Sequence, residues 1–192
     1  AAPPVVSRLA LHDALPILAG LDLLTRDGAT NVMNQRAAFW NARLLDPASG
    51  LDATGGLLVE AGRIADIGPG LFADSVPAAD KTIDCDGLCL APGLIDMRVQ
   101  VREPGEEHKE TIATASLAAA AGGITSMVCL PNTDPVIDDV SVVEFIARRA
   151  REIKRVKLYC YGALTQRLEG RELTEMALLA ESGALAFTDG LK

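Results

Sequence analysis

Four short apolar runs begin near Leu94, Ile124, Val156 and Ala184, and their spacing of about 30 residues is the length of one strand, one helix and two loops. No other feature narrows the fold as much. A chain that alternates strand and helix at this period builds a parallel sheet covered by helices. Helical patterns fill the gaps. The first, roughly 110–121, is alanine-rich and stops at Gly122-Gly123, since glycine tolerates the left-handed backbone that ends a helix. The second, 139–154, puts Val143, Ile146, Ala150 and Ile153 on one face, and Ser141 with Glu144 reads as its capping box. The third, 171–182, aligns Leu173, Met176, Ala177 and Ala180 before Gly183. All three stripes read as core faces.

Repeated strand–helix units form either an open doubly wound sheet or a closed barrel. A G-x-G-x-x-G after the first strand would mark a dinucleotide site, and the sequence has none there. A closed (β/α)8 barrel needs about 250 residues. Residues 92–192 have room for four strands and three helices, so the α/β fold class expected is a partial (β/α)8 TIM-type barrel, its N-terminal half. Such a piece is expected to leave open strand edges and an uncovered apolar face, and the sequence reads as truncated. Before it, "FWNARLL", "GLLVEAGRIADIG" and "KTIDCDGLCLAPG" are β-type runs. Asp46-Pro47 with Ser49-Gly50, Ala61-Gly62 and Asp86-Gly87 are turn signals between them. Residues 36–91 are therefore expected to form a small antiparallel, sandwich-like β domain. Residues 1–35 match neither pattern and read as a non-native or disordered extension. The apolar run at 9–20 lacks a basic leader and is broken by Asp13 and Pro16, so neither export nor a membrane anchor is expected.

The net charge of −8 comes without a Lys/Arg block, which argues against a nucleic-acid partner, because phosphate binding needs clustered cations. Cys85, Cys89, Cys129 and Cys160 form no CxxC and lie in apolar runs; they read as core thiols in a reducing, cytoplasmic setting. His12 and His108 are far apart in polar surroundings, where surface placement is the simpler reading.

In a barrel, chemistry gathers at the C-terminal ends of the strands. The candidates there are Arg98, Gln100 and Arg102 with Glu103 after the first strand, Asn132 with Thr133 after the second, Tyr161 along the third, and Thr188 with Asp189 after the fourth. Residues two apart on a strand point the same way, so Arg98 and Gln100 face the mouth together. Neither is a good metal ligand. Arginine has no lone pair to offer and stays protonated, and glutamine offers only a neutral carbonyl oxygen.

"APGLIDMRVQVREPGEEHKETI", "AAAAGGITSMVCLPNTDPVIDD" and "GALAFTDG", in this order and after a β unit of this kind, resemble the dihydroorotase family of cyclic amidohydrolases. That resemblance implies a zinc-assisted, reversible closing of carbamoyl aspartate to dihydroorotate, a step of pyrimidine synthesis. It also implies a first strand reading D-x-H-x-H, whose two imidazoles grip the metal, and adjacent aspartates after the fourth strand. Here Arg98 and Gln100 stand in the histidine positions. A single Asp189 is followed by Gly190, which falls on the bridging-ligand position. No metal is therefore expected in this chain, against zinc in the family. On the substrate side, Arg102 matches the arginine that grips the substrate carboxylate, and Asn132 the asparagine that assists it. The simpler readings are a surface pair of Arg102 with Glu103 or Glu106 and a turn made by Asn132.

The resemblance thus leads to a dihydroorotase-like protein that is metal-free and inactive, with Asp189 as the one catalytic candidate. Its implied partner is aspartate carbamoyltransferase, the enzyme of the preceding step, and oligomerisation of the full-length form is expected. The alternative is an active zinc cyclic amidohydrolase of dihydroorotase or allantoinase type. A third reading is a sensor that binds an acidic pyrimidine precursor through Arg102 and Asn132. Arg98, a charge in need of a partner, is expected to pair with Asp189 or Asp96.

Overall fold

The computed structural model describes residues 36–75 and 77–190; the extension read at residues 1–35 lies outside them. The chain divides into two compact units that meet at Gly93/Leu94.

The first unit is one mixed sheet. β1 (Arg36–Asp46), β2 (Leu51–Glu60) and β3 (Arg63–Pro69) are antiparallel neighbours, while β4 (Lys81–Asp84) and β5 (Cys89–Leu90) lie parallel to β1. The spatial order is β3-β2-β1-β4, with β5 also on β1. The antiparallel expectation holds for the first three strands. Where an antiparallel, sandwich-like unit is expected from the sequence, β4 and β5 instead pair parallel to β1, because the chain leaving β3 returns alongside it. The turn signals act as read. Asp46 Oδ1 accepts from Ala48 N at 3.0 Å in the β1–β2 turn, and Ala61-Gly62 takes positive φ at both residues between β2 and β3, the geometry of a tight hairpin. Phe39, Leu57 and Val59 form the buried centre. Cys89, read as a core thiol, is exposed, whereas its neighbour Leu90 on the same short strand packs against the buried centre.

The second unit alternates β6 (Leu94–Val99), α1 (Ile112–Ala121), β7 (Ile124–Cys129), α2 (Val140–Ile153), β8 (Lys157–Gly162), α3 (Met176–Glu181) and β9 (Ala184–Phe187). The four strands are parallel and adjacent in sequence order. This is the arrangement of a partial (β/α)8 barrel. Met127, Cys129, Leu158, Cys160 and Ala184 on the strands pack with Ile112, Ala115, Val143, Ile146 and Leu179 on the helices, so the core lies between sheet and helices. On the edge strands, Ile95, Met97 and Leu185 remain exposed.

Two local expectations are corrected. Helix α2 is capped by Asp139, whose Oδ1 accepts from Ser141 N at 2.8 Å. Asp139 sits in extended backbone just before the helix, so its carboxylate reaches the free amide that a Ser141–Glu144 box would have served. Helix α3 is about half the length expected. The bridge between Thr165 and Leu173 and the Thr174 hydroxyl donating to Ala163 O at 2.7 Å hold residues 165–174 in a loop. The helix then buries Leu179, leaving Leu173, Ala177 and Ala180 exposed. Among the described residues no helix is long and apolar enough to cross a membrane.

Candidate functional site

Because β6 to β9 run in parallel and in order, their C-terminal ends form one rim, and the loops that follow are tied to one another in sequence. Leu130 N donates to Val99 O at 2.8 Å and Asp134 N to Pro104 O at 3.1 Å. Ala163 N donates to Ile137 O at 2.8 Å, and Thr188 N to Gly162 O at 3.0 Å. Gly105 (φ +105°) presses against the second of these loops, since a Cβ there would lie 2.1 Å from Asp134 O. Only glycine fits, both for its backbone angle and for the contact.

Arg98 is exposed, and its Nη2 donates to Gly190 O at 3.1 Å. A side chain on one edge strand thus meets the backbone beyond the other edge strand. Gly190 lies three residues past the end of β9, so it is the loop after that strand that presents its carbonyl to Arg98. The expected carboxylate partners are occupied. Asp189 Oδ1 accepts from Leu164 N and Thr165 N, both at 3.0 Å, and its Oδ2 accepts from Thr165 Oγ1 at 2.5 Å. Asp96 Oδ1 accepts from the backbone N of Arg98 at 2.9 Å. The Arg98 guanidinium therefore settles on a carbonyl in place of the anticipated ion pair. Asp189 acts here as a tie between the loops after β8 and β9.

Arg102 and Gln100 lie in the segment after β6. Arg102 Nη2 donates to Gln100 Oε1 at 2.5 Å, and Nη1 pairs with Glu106 Oε2 at 3.0 Å. Glu106 also binds Lys109, and that ammonium, with Arg102 behind it, holds the Glu106 carboxyl below the usual glutamate range. The surface pair weighed for Arg102 is present, with Glu106. Glu103 turns the other way. Its nearly buried carboxylate accepts from Ile112 N at 2.8 Å and from Arg149 Nε at 2.6 Å, locking the post-β6 loop to the start of α1 and to α2. Sequence reasoning placed Glu103 in the mouth. No strand phase could have shown otherwise, since residues 100–103 lie past the end of β6.

Asn132 presents the opposite situation. Its Oδ1 is buried without a hydrogen-bond partner, and the turn at Asp134-Pro135 is made by Thr133, whose Oγ1 donates to Pro135 O at 2.7 Å. A buried acceptor left unpaired costs free energy, about 1–3 kcal/mol, until some donor reaches it. Tyr161 and Thr188 are half-buried, and Thr188 Oγ1 accepts from Gly190 N at 3.0 Å. The thiols of Cys129 and Cys160 are pushed up by burial, that of Cys160 to about 11, so both stay protonated at neutral pH and are poor nucleophiles.

The donor set at the positions of the expected metal grip does not suit zinc. Arg98 supplies a permanent cation there, and the carbonyl oxygen of Gln100 is already taken by Arg102.

A four-strand, three-helix parallel unit with its polar residues on the C-terminal rim, preceded by a small β unit, is the architecture of a partial amidohydrolase-type barrel. L-Hydantoinase (dihydropyrimidinase) from Arthrobacter aurescens shares the fold, with a TM-score of 0.60 at 24% identity over 79% of this chain and 32% of that one. The dihydro-orotase-like family matches residues 87–191. The dihydroorotase of Wolbachia sp. subsp. Brugia malayi (strain TRS) is 50% identical over 157 residues, 81% of this chain and 35% of that protein. A dihydroorotase-like protein of Pseudomonas putida is 46% identical over 151 residues, 79% of this chain and 35% of its own length. The chain belongs to the dihydroorotase-like family of cyclic amidohydrolases, and it spans about a third of the length of these curated relatives.

Proposed function

We propose that this chain is a metal-free, catalytically silent dihydroorotase-like protein of the cytoplasm that serves as a structural partner of aspartate carbamoyltransferase. The observation that carries the first half is Arg98. It stands where the family resemblance calls for an imidazole ligand, with its guanidinium on Gly190 O. A divalent ion about 4 Å from a guanidinium meets a repulsion of roughly 2 kcal/mol in water and ~8 kcal/mol at an effective dielectric of 20. Without the ion there is nothing to lower the pKa of an attacking water to near neutrality. The partner follows from the family resemblance. Arg102 and Asn132 retain the residue types that hold an acidic pyrimidine precursor, and the buried, unpaired Asn132 Oδ1 favours a ligand that brings an N–H donor.

The test uses the full-length protein that carries this chain. Metal analysis after purification in zinc-supplemented medium, with a carbamoyl aspartate cyclisation assay, is expected to return neither stoichiometric zinc nor turnover. Bound zinc with turnover defeats the proposal in favour of a working zinc amidohydrolase. For the partner, sedimentation of a mixture with purified aspartate carbamoyltransferase should give one faster boundary, and two independent boundaries refute the pairing.

A further inference from the structure

Gln100 lacks the lone-pair chemistry of an imidazole, yet it has a contact of its own. Its Oε1 accepts from Arg102 Nη2 at 2.5 Å while Glu106 Oε2 takes Nη1 at 3.0 Å. Arginine holds a carboxylate by presenting two N–H groups in parallel. Both terminal nitrogens of this fork are already turned to acceptors of the same chain. Gln100 and Arg102 both lie just past the end of β6, where the loop sets their side chains together. A glutamine at 100 is long enough to bring its carbonyl oxygen onto the guanidinium of 102.

We infer that Gln100 is an internal competitor for Arg102, an autoinhibitory contact that a carboxylate ligand must displace before it can bind. This rests on the proposed role of Arg102 toward acidic ligands. The two competitors are unequal. Glu106 is charged and anchored a second time by Lys109, so it stays. Gln100 is neutral and exposed, so it is the one a ligand displaces. On the adjoining loop, Asn132 Oδ1 has no such internal partner. Arg102 is therefore engaged within the chain, whereas the Asn132 oxygen is not. One residue position has lost a metal donor and has also weakened the capture of acidic ligands.

Isothermal titration of the full-length protein with carbamoyl aspartate tests this. Gln100→Ala is expected to tighten binding about tenfold, the worth of one exposed hydrogen bond to a charged group. Gln100→Glu, which puts a charged competitor in the same place, is expected to weaken it. Adding Arg102→Ala to Gln100→Ala should abolish the gain. Opposite signs at one exposed position are not produced by a change in folding. Binding to Gln100→Ala that is undetectable or no tighter than to the unaltered protein overturns the inference, as does tightening by Gln100→Glu. Zinc content measured on the same samples reports separately on the metal-free reading.

Discussion

Removing the charge of Glu103 while keeping its shape should destabilise the second unit by about 2–3 kcal/mol. The carboxylate is nearly buried and serves two donors, the Ile112 amide at 2.8 Å and Arg149 Nε at 2.6 Å. In Glu103→Gln one amide oxygen can satisfy one of them, and the new NH2 group faces the other. One charge-assisted hydrogen bond is lost, about 1.5–3 kcal/mol, together with about 0.3–1 kcal/mol of favourable interaction between a negative charge and the first turn of α1. The cost stays below the 3–5 kcal/mol range of a broken buried pair, since Arg149 is about one-third exposed and keeps Glu152 at 2.7 Å. Urea denaturation of Glu103→Gln, Arg149→Met and the double variant measures the pair as a cycle, with a coupling of about 1–2 kcal/mol expected. A Glu103→Gln cost under about 0.5 kcal/mol, or strict additivity in the double variant, would show that the clamp contributes nothing.

Three further outcomes are expected. Arg98→His/Gln100→His should acquire measurable zinc affinity, whereas Gln100→His alone, which keeps the guanidinium, should not; equal affinities in a competition titration with a zinc dye would remove the role given to Arg98. Gly105→Ala should cost about 2 kcal/mol or more in thermal or urea unfolding, because the position has positive φ and its Cβ would meet Asp134 O at 2.1 Å. The Glu106 carboxyl, lowered first by Lys109, should titrate below an ordinary glutamate in NMR and rise in Lys109→Met. Its folded-state pKa is depressed, so any stability it lends is present above the unfolded value and is lost as pH falls through the folded one. An unchanged midpoint in the variant would exclude Lys109 as the cause.

The features legible in the sequence were those with local causes. Strand starts at Leu94, Ile124 and Ala184 follow from apolar runs. The stop of α1 at Gly122-Gly123 follows from glycine at positive φ, observed at Gly123. The stripe on α2 that includes Val143 and Ile146 is buried as its period requires. Helix α3 was misjudged for a nonlocal reason, since Thr174 bonds to Ala163 and Leu179 faces the core in place of Ala177 and Ala180.

At the rim the division is sharper. The residue types at 98, 100, 102 and 132 and their placement at or just after the ends of two strands were set by sequence, because the apolar runs locate those strands. Which acceptor each would find was decided by tertiary structure. Arg98 reaches Gly190, 92 positions away in sequence, only because the fold brings the loop after β9 to the end of β6. Asp189 accepts from the amides of Leu164 and Thr165, which the fold brings to it from 25 and 24 positions away. Asn132 keeps a buried oxygen unpaired because Thr133 makes the neighbouring turn instead. Charge and hydrogen-bonding capacity belong to the residue, whereas the partner that satisfies them is whichever group the folded chain brings within about 3 Å.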